Sequence, residues 1–87
     1  MKVQNMTSAR GNKIANQFTI LTDDGLYFQS YSTMIAYKPY QGSTQLDRDS
    51  WDYSVTTGKY RNLFLGEKKA DTVRKIASGE YILTDLN

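Results

Sequence analysis

Eighty-seven residues fit one small domain with a single core and leave no room for a second. The chain is 39% hydrophobic and 23% charged, a globular rather than a disordered balance. It has no cysteine and no histidine, which excludes disulfides, thiol nucleophiles, the usual zinc ligands and the Ser-His-Asp and Cys-His constellations.

A net charge of +2, from 11 basic and 9 acidic residues, is too small to make nucleic-acid binding the default. It also has the wrong sign for a mimic of the DNA phosphate ladder. No apolar run approaches the roughly 18 residues of a membrane span, so no membrane association is expected. The start, MKVQNMTSARGNK, lacks an apolar signal-peptide core, and with the missing cysteines it points to a cytoplasmic setting. Seven tyrosines accompany many Ser, Thr, Asn and Gln residues, a surface chemistry that suits partner contact as well as ordinary strand composition.

In chain order, Val3–Met6 reads as an edge strand and Ser8–Asn12 as a loop. Residues 17–31 read as a hairpin. A three-residue loop at Asp23-Asp24-Gly25, with Gly25 left-handed, sets Thr22 opposite Leu26 and Ile20 opposite Phe28. In that register Phe18, Ile20, Leu26 and Phe28 share one face, and Gln17, Tyr27, Gln29 and Tyr31 lie on the other. A third strand runs over Thr33–Lys38, stopped by Pro39, and a short fourth covers Thr44–Leu46.

Residues 47–54 form a polar turn that docks Trp51. A helix follows over about 57–65, with Ser54, Thr56 or Thr57 as its cap and Tyr60, Leu63 and Phe64 on its packing arc. A second helix spans about 69–78, with Ala70, Val73, Ile76 and Ala77 at helical spacing. Gly66 and Gly79 end the two helices, and Glu80–Thr84 is a last strand. Hairpins first and helices last give an α+β fold: a small antiparallel sheet of four to five strands with two short helices of the C-terminal half on one face.

Few motifs carry chemistry. Asp47, Asp49 and Asp52 fail the EF-hand test, because Asp52 and Gly58 stand where a glycine and a bidentate glutamate belong, so no metal site is expected. Ser8–Lys13 resembles an anion-binding loop but lacks the P-loop glycine and its Lys-Ser/Thr pair. Thr56–Asn62 interleaves basic and aromatic residues, yet Lys59 and Arg61 sit about 200° apart around a helix and form no stripe. Tyr27, Gln29, Tyr31 and Gln17 outline a stacking platform on a sheet that a covering helix would equally explain. Without histidine or cysteine, and in a domain too small for a deep cleft, neither catalysis nor a cofactor is expected.

Four segments, GNKIANQFTI (11–20), FQSYSTMIAYK (28–38), LDRDSWDYSVTTGKYRNLFLGE (46–67) and SGEYILTDLN (78–87), together resemble a group of small uncharacterised proteins encoded by tailed bacteriophages and prophages. The stretch W-D-Y-S-x-T-T-x-x-Y-R-N-x-F-L-G at 51–66 is the most specific part. The resemblance implies a gene product made in the cytoplasm of an infected bacterium, and it assigns no activity to any residue.

The expectation from sequence is a non-enzymatic binding module contacting nucleic acid or a nucleotide-like anion. Arg10, Lys13, Lys59 and Arg61 would neutralise phosphate, Tyr31 and Tyr60 would stack, and Asn12 and Asn62 would read an edge. The rival is a protein-interaction module that blocks a host defence protein through an edge strand or the aromatics around Trp51, Tyr53 and Tyr40. A homo-oligomer with a composite site is the third.

Overall fold

The computed structural model describes all 87 residues. Six strands, β1 (Lys2–Thr7), β2 (Lys13–Leu21), β3 (Gly25–Ser30), β4 (Thr33–Pro39), β5 (Gln45–Asp47) and β6 (Ile82–Thr84), form one sheet in sequential order. Two helices, α1 (Val55–Leu65) and α2 (Lys69–Ser78), lie between β5 and β6. The first five strands pair antiparallel, whereas β6 runs parallel to β5, because the two helices carry the chain back to the sheet in the same direction. The fold is α+β, with one strand more than the sequence reading allowed and a parallel pair it did not foresee.

The helix boundaries follow local chemistry. Ser54 caps α1, its Oγ accepting from the Thr57 backbone N–H at 3.1 Å, and Gly66 ends the helix at φ 71°. Gly79, at φ 84°, ends α2. Within α1 the expected packing arc is narrower than predicted: Phe64 is buried and Tyr60 half-buried, but Leu63 is exposed. In α2, Ala70, Val73 and Ala77 are likewise exposed, and the helix rests on Thr72 and Ile76.

The β2–β3 register departs from the expected one by a residue. Leu21 pairs with Leu26, Ile20 with Tyr27 and Thr19 with Phe28 across a connection of four residues, 22–25, closed by Thr22 and Gly25. Gly25 is not left-handed. It begins β3 opposite Pro39, and a Cβ there would lie 2.3 Å from the Lys38 carbonyl oxygen and 2.7 Å from Pro39 Cα. The glycine serves close strand approach rather than a positive φ. A one-residue slip exchanges faces, so Phe18 and Ile20 join Tyr27 and Gln29, while Gln17 and Thr19 join Leu26 and Phe28.

One face is covered. Met6, Phe28, Ile35, Ala36, Leu46, Phe64 and Tyr81 form the core, with Trp51, Tyr60, Leu65 and Ile76 packed against it. Gln17 and Ser30 are buried under α1, where the Ser30 and Thr57 hydroxyls meet at 3.1 Å. Ile35 has no partner of its own at the β3–β4 bulge, which lets it enter the core beside Ala36. Ile20 is buried yet stands outside this cluster, on the opposite face.

A polar network fixes α2 and β6. The Glu67 carboxylate accepts from Thr72 Oγ1 at 2.6 Å, Lys75 Nζ at 2.7 Å and Tyr81 OH at 2.8 Å. Burial pushes the Glu67 carboxyl upward, but the hydrogen bonds from Lys75, Thr72 and Tyr81 outweigh it and hold it below its ordinary 4.5.

Two outcomes follow. Gly25→Ala should lower unfolding stability by about 1–3 kcal/mol in urea titration, since neither backbone neighbour can yield; a change under about 0.5 kcal/mol would refute the close-approach role. A carboxyl whose folded pKa is depressed stabilises above its unfolded value and loses that stability as pH falls through the folded one. The stability gap between wild type and Glu67→Gln should therefore be full at pH 7 and shrink on acidification below 4.5.

Candidate functional site

Arg61, the most specific basic residue of the 51–66 stretch, does not face solvent. Its side chain is 1% exposed, donating from Nη1 to the Trp51 carbonyl at 2.8 Å and to Asp52 Oδ1 at 2.9 Å, and from Nη2 to Asn62 Oδ1 at 2.9 Å. The guanidinium also lies over the Trp51 ring, 5.2 Å from its centre. Asp52 takes a second cation, Lys69 Nζ, at 2.6 Å. The Lys69 hydrogen bond, and after it that of Arg61, hold the Asp52 carboxyl below its ordinary range against the upward push of burial. Arg61 thus binds the 51–52 turn to α1, and its charge is already matched.

The eight residues expected to bind phosphate and bases do not converge. Lys59, Arg61 and Asn62 line one shallow groove beside Asp52 and Lys69. Lys13 lines a different groove, bounded by β1 and the end of α1. Arg10 and Asn12 lie on the exposed loop between β1 and β2, where Asn12 N–H donates to Ser8 Oγ at 3.2 Å. Tyr60 packs against the core and receives Lys59 Nζ 5.4 Å above its ring. Tyr31 occupies the two-residue turn between β3 and β4 at φ 56°, with its side chain exposed. A bulky residue at positive φ is a rare backbone state, and its N–H holds it there by donating to the Asn16 carbonyl at 2.6 Å.

A coherent surface arises elsewhere, on the face of the sheet that the helices leave bare. Strand pairing puts Val3, Asn5, Phe18, Ile20, Tyr27, Gln29, Met34, Tyr37, Gln45 and Ile82 there, all uncharged, with Asp47 and Thr84 at its β5–β6 end, where the Asp47 carboxylate is buried and accepts from the Leu86 N–H. Tyr27 and Tyr37 are directly paired, their rings stacked 4.2 Å apart at 18°. Val3 and Ile82 are 55% and 47% exposed at its two edges, and Phe18, Tyr27 and Tyr37 are half-buried around Ile20. Burial first, then the neighbouring Tyr27, Asp24 and Tyr40, pushes the Tyr37 hydroxyl up, so it stays a neutral donor. Of the platform outlined from sequence, Tyr27 and Gln29 lie on this face, whereas Gln17 is buried on the other and Tyr31 sits in the turn. Phe18 and Tyr37 were missed. Plain alternation in β4 would put Tyr37 on the same face as Ile35; only the bulge at Ile35, which turns Ile35 into the core, leaves Tyr37 on the bare face.

No group of three or more carboxylates is placed to hold a metal ion, and no helix is long and apolar enough to cross a membrane. The chain belongs to the Family of unknown function (DUF8033), whose model matches residues 1–80. No curated protein and no solved structure matches it.

Removing the buried guanidinium should destabilise the fold, since its contacts are structural. Asp52 keeps Lys69, so Arg61→Ala is expected to cost about 2 kcal/mol of stability by urea denaturation, chiefly through the lost charge-assisted hydrogen bonds to the Trp51 carbonyl and Asp52. A fully stable Arg61→Ala protein would show that the contacts to Trp51 and Asp52 do not hold the turn.

Proposed function

We propose that this protein is a non-enzymatic binding domain that engages a protein partner through the bare face of its sheet. The observation that carries the reading is the face just described, rich in aromatic and amide groups, with its one strand carboxylate, Asp47, buried and Asp24 only at its margin beside Tyr37. Protein interface cores are depleted of charge and enriched in tyrosine and phenylalanine, whose rigid rings supply contact area at little entropic cost. Tyr27, Tyr37 and Phe18 are the anchors, and Asn5, Gln29 and Gln45 supply donors and acceptors around them. The resemblance to phage-encoded proteins adds a setting in which the partner is a protein of the infected bacterium.

A single-stranded nucleic acid is the second reading, favoured by the stacked Tyr27–Tyr37 pair, on which a base would lie flat. It draws less support from charge. Arg61 is paired internally, and Arg10, Lys13 and Lys59 are dispersed over separate surfaces. Phosphate binding by such a set would lack the continuous basic track that single strands follow.

The two readings separate in one experiment. Immobilised protein is exposed to bacterial lysate with and without nuclease, and then washed at about 50 and 200 mM salt, a range over which phosphate-driven binding collapses. Under the protein reading a captured protein survives nuclease and salt. It is lost with Tyr27→Ala or Tyr37→Ala, each still folded by its amide spectrum, with at least about 30-fold weaker affinity as expected for a hot spot of about 2 kcal/mol. Lys59→Ala should change nothing. Capture that disappears with nuclease or salt, or that ignores both tyrosine substitutions, would overturn the proposal.

A further inference from the structure

A second concave surface lies on the opposite side of the sheet, where β1 and β2 extend beyond α1. It is an open groove of about 910 Å³, a volume within the range of small-ligand sites. Its apolar lining is Val3, Met6, Leu26, Leu63 and Phe64, and its charged lining is Lys13 and Lys38, with no carboxylate among the residues that form it.

Lys38 is the unusual member. It is half-buried, follows Tyr37 in β4, and points toward the end of α1. Its Nζ donates to the Phe64 carbonyl at 2.8 Å and lies 4.4 Å from the centre of the Phe64 ring. An ammonium has three donors, and capping a helix carbonyl uses one. No carboxylate lies within ion-pair distance of it, unlike Arg61, Lys69, Arg74 and Lys75. Burial pushes the Lys38 ammonium below its ordinary 10.5 with nothing to oppose it. A charge kept in an apolar groove at such a cost is recovered when an anion arrives.

We propose that this groove binds an aliphatic monocarboxylate, its carboxylate on Lys38 Nζ and its hydrocarbon tail along Met6, Leu26, Leu63 and Phe64. Charge complementarity selects the head: two cations and no anion line the groove. The apolar side chains select the tail, because burying methylene groups there removes exposed Leu63 surface from water. Lys13 lies at the β1–β2 end of the same lining and adds a weaker, solvent-screened attraction. Val3 and Asn5 at the β1 edge border both this groove and the bare face, but the Lys38 site lies on the other side of the sheet and does not rest on the protein-binding reading.

The probe is octanoate, titrated into the protein below its micelle concentration and followed by NMR of the lysine Cε–Nζ groups and of the Met6, Leu26 and Leu63 methyls. Octanoate should shift these groups saturably and raise the Lys38 pKa, whereas 1-octanol, with the same tail and no charge, should bind at least tenfold more weakly. Lys38→Met, which keeps an apolar stem, should reduce octanoate to the affinity of 1-octanol, and Lys13→Gln should weaken it by a smaller factor. Equal binding of the acid and the alcohol, no saturable shift at Lys38, or octanoate shifts confined to another surface would each overturn the site. The comparison of acid with alcohol on the wild-type protein decides the question even if Lys38→Met fails to fold.

Discussion

The helix layer of this protein is smaller than the sheet it covers, and most of the molecule's surface chemistry follows from that mismatch. Six strands at a spacing of about 4.8 Å put the outer strand axes about 24 Å apart. Two helices of 11 and 10 residues, each about 15 Å long, cannot roof such a sheet from edge to edge. They settle over the β3–β5 part of it, where Phe28, Ala36 and Leu46 are completely buried. The β1–β2 margin projects past α1, and no helix covers the far face, where Asp47 at the end of β5 is buried and hydrogen-bonded to the C-terminal residues. An apolar strand surface without a roof must manage its own contact with water. Here it does so by stacking Tyr27 on Tyr37, closing the rings around Ile20 and placing amides rather than charges between them.

Only eight hydrophobic residues are buried, too few to position the helices by apolar packing alone. Polar contacts supply the missing specificity. Arg61 ties α1 to the 51–52 turn, and Glu67 ties the α1–α2 junction to Lys75 and Tyr81. Asp47 accepts from the Leu86 N–H at 2.9 Å, and its carbonyl accepts from Trp51 N–H at 3.0 Å, so the end of β5, the turn and the C-terminal residues are joined. Burial of such groups costs several kcal/mol each unless they are paired, and of the buried side-chain polar atoms only Gln17 Oε1 and Arg61 Nε lack a partner, which makes a single arrangement of the helices much better than its neighbours. The reward is positional more than energetic, since a well-packed apolar replacement of a buried ion pair is often as stable.

Much of the architecture was legible in local signals. The ends of α2, the Gly66 stop, the Pro39 boundary and the exposed 8–12 loop all come from residues acting on their immediate neighbours, while the start of α1 lies two residues before the expected 57 because Ser54, one of three candidate caps, is the one that caps it. What failed depended on distant ones. Gly25 offers the same letter whether a turn needs a positive φ or a strand needs room for Lys38 and Pro39, and only the folded sheet separates the two. Choosing the first reading shifted the register and sorted apolar and polar residues onto cleaner faces than the protein uses. Arg61 misled for a related reason. An arginine among tyrosine and lysine reads as a phosphate contact, and nothing local reveals that Asp52, nine residues earlier, already holds it. The same blindness hid Lys38, whose burial is set by α1, 26 residues away in sequence.

Both surfaces with binding chemistry meet in β4. Tyr37 faces the bare side and Lys38, the next residue, faces the groove, so a slip of one position would bury an aromatic where the lone ammonium belongs and place a charge in the middle of the neutral face. Such slips are cheap in a strand whose two faces are both mixed. This strand prevents them at each end. Pro39 sits against Gly25, where no other residue fits, and the bulge at Ile35 admits one extra residue that is then completely buried in the core. Moving β4 either way would drive a Cβ into the Lys38–Pro39 backbone or pull Ile35 out of the core at a cost of about 1.5–3 kcal/mol. The glycine and the bulge, which touch neither surface, therefore decide which chemistry each surface presents.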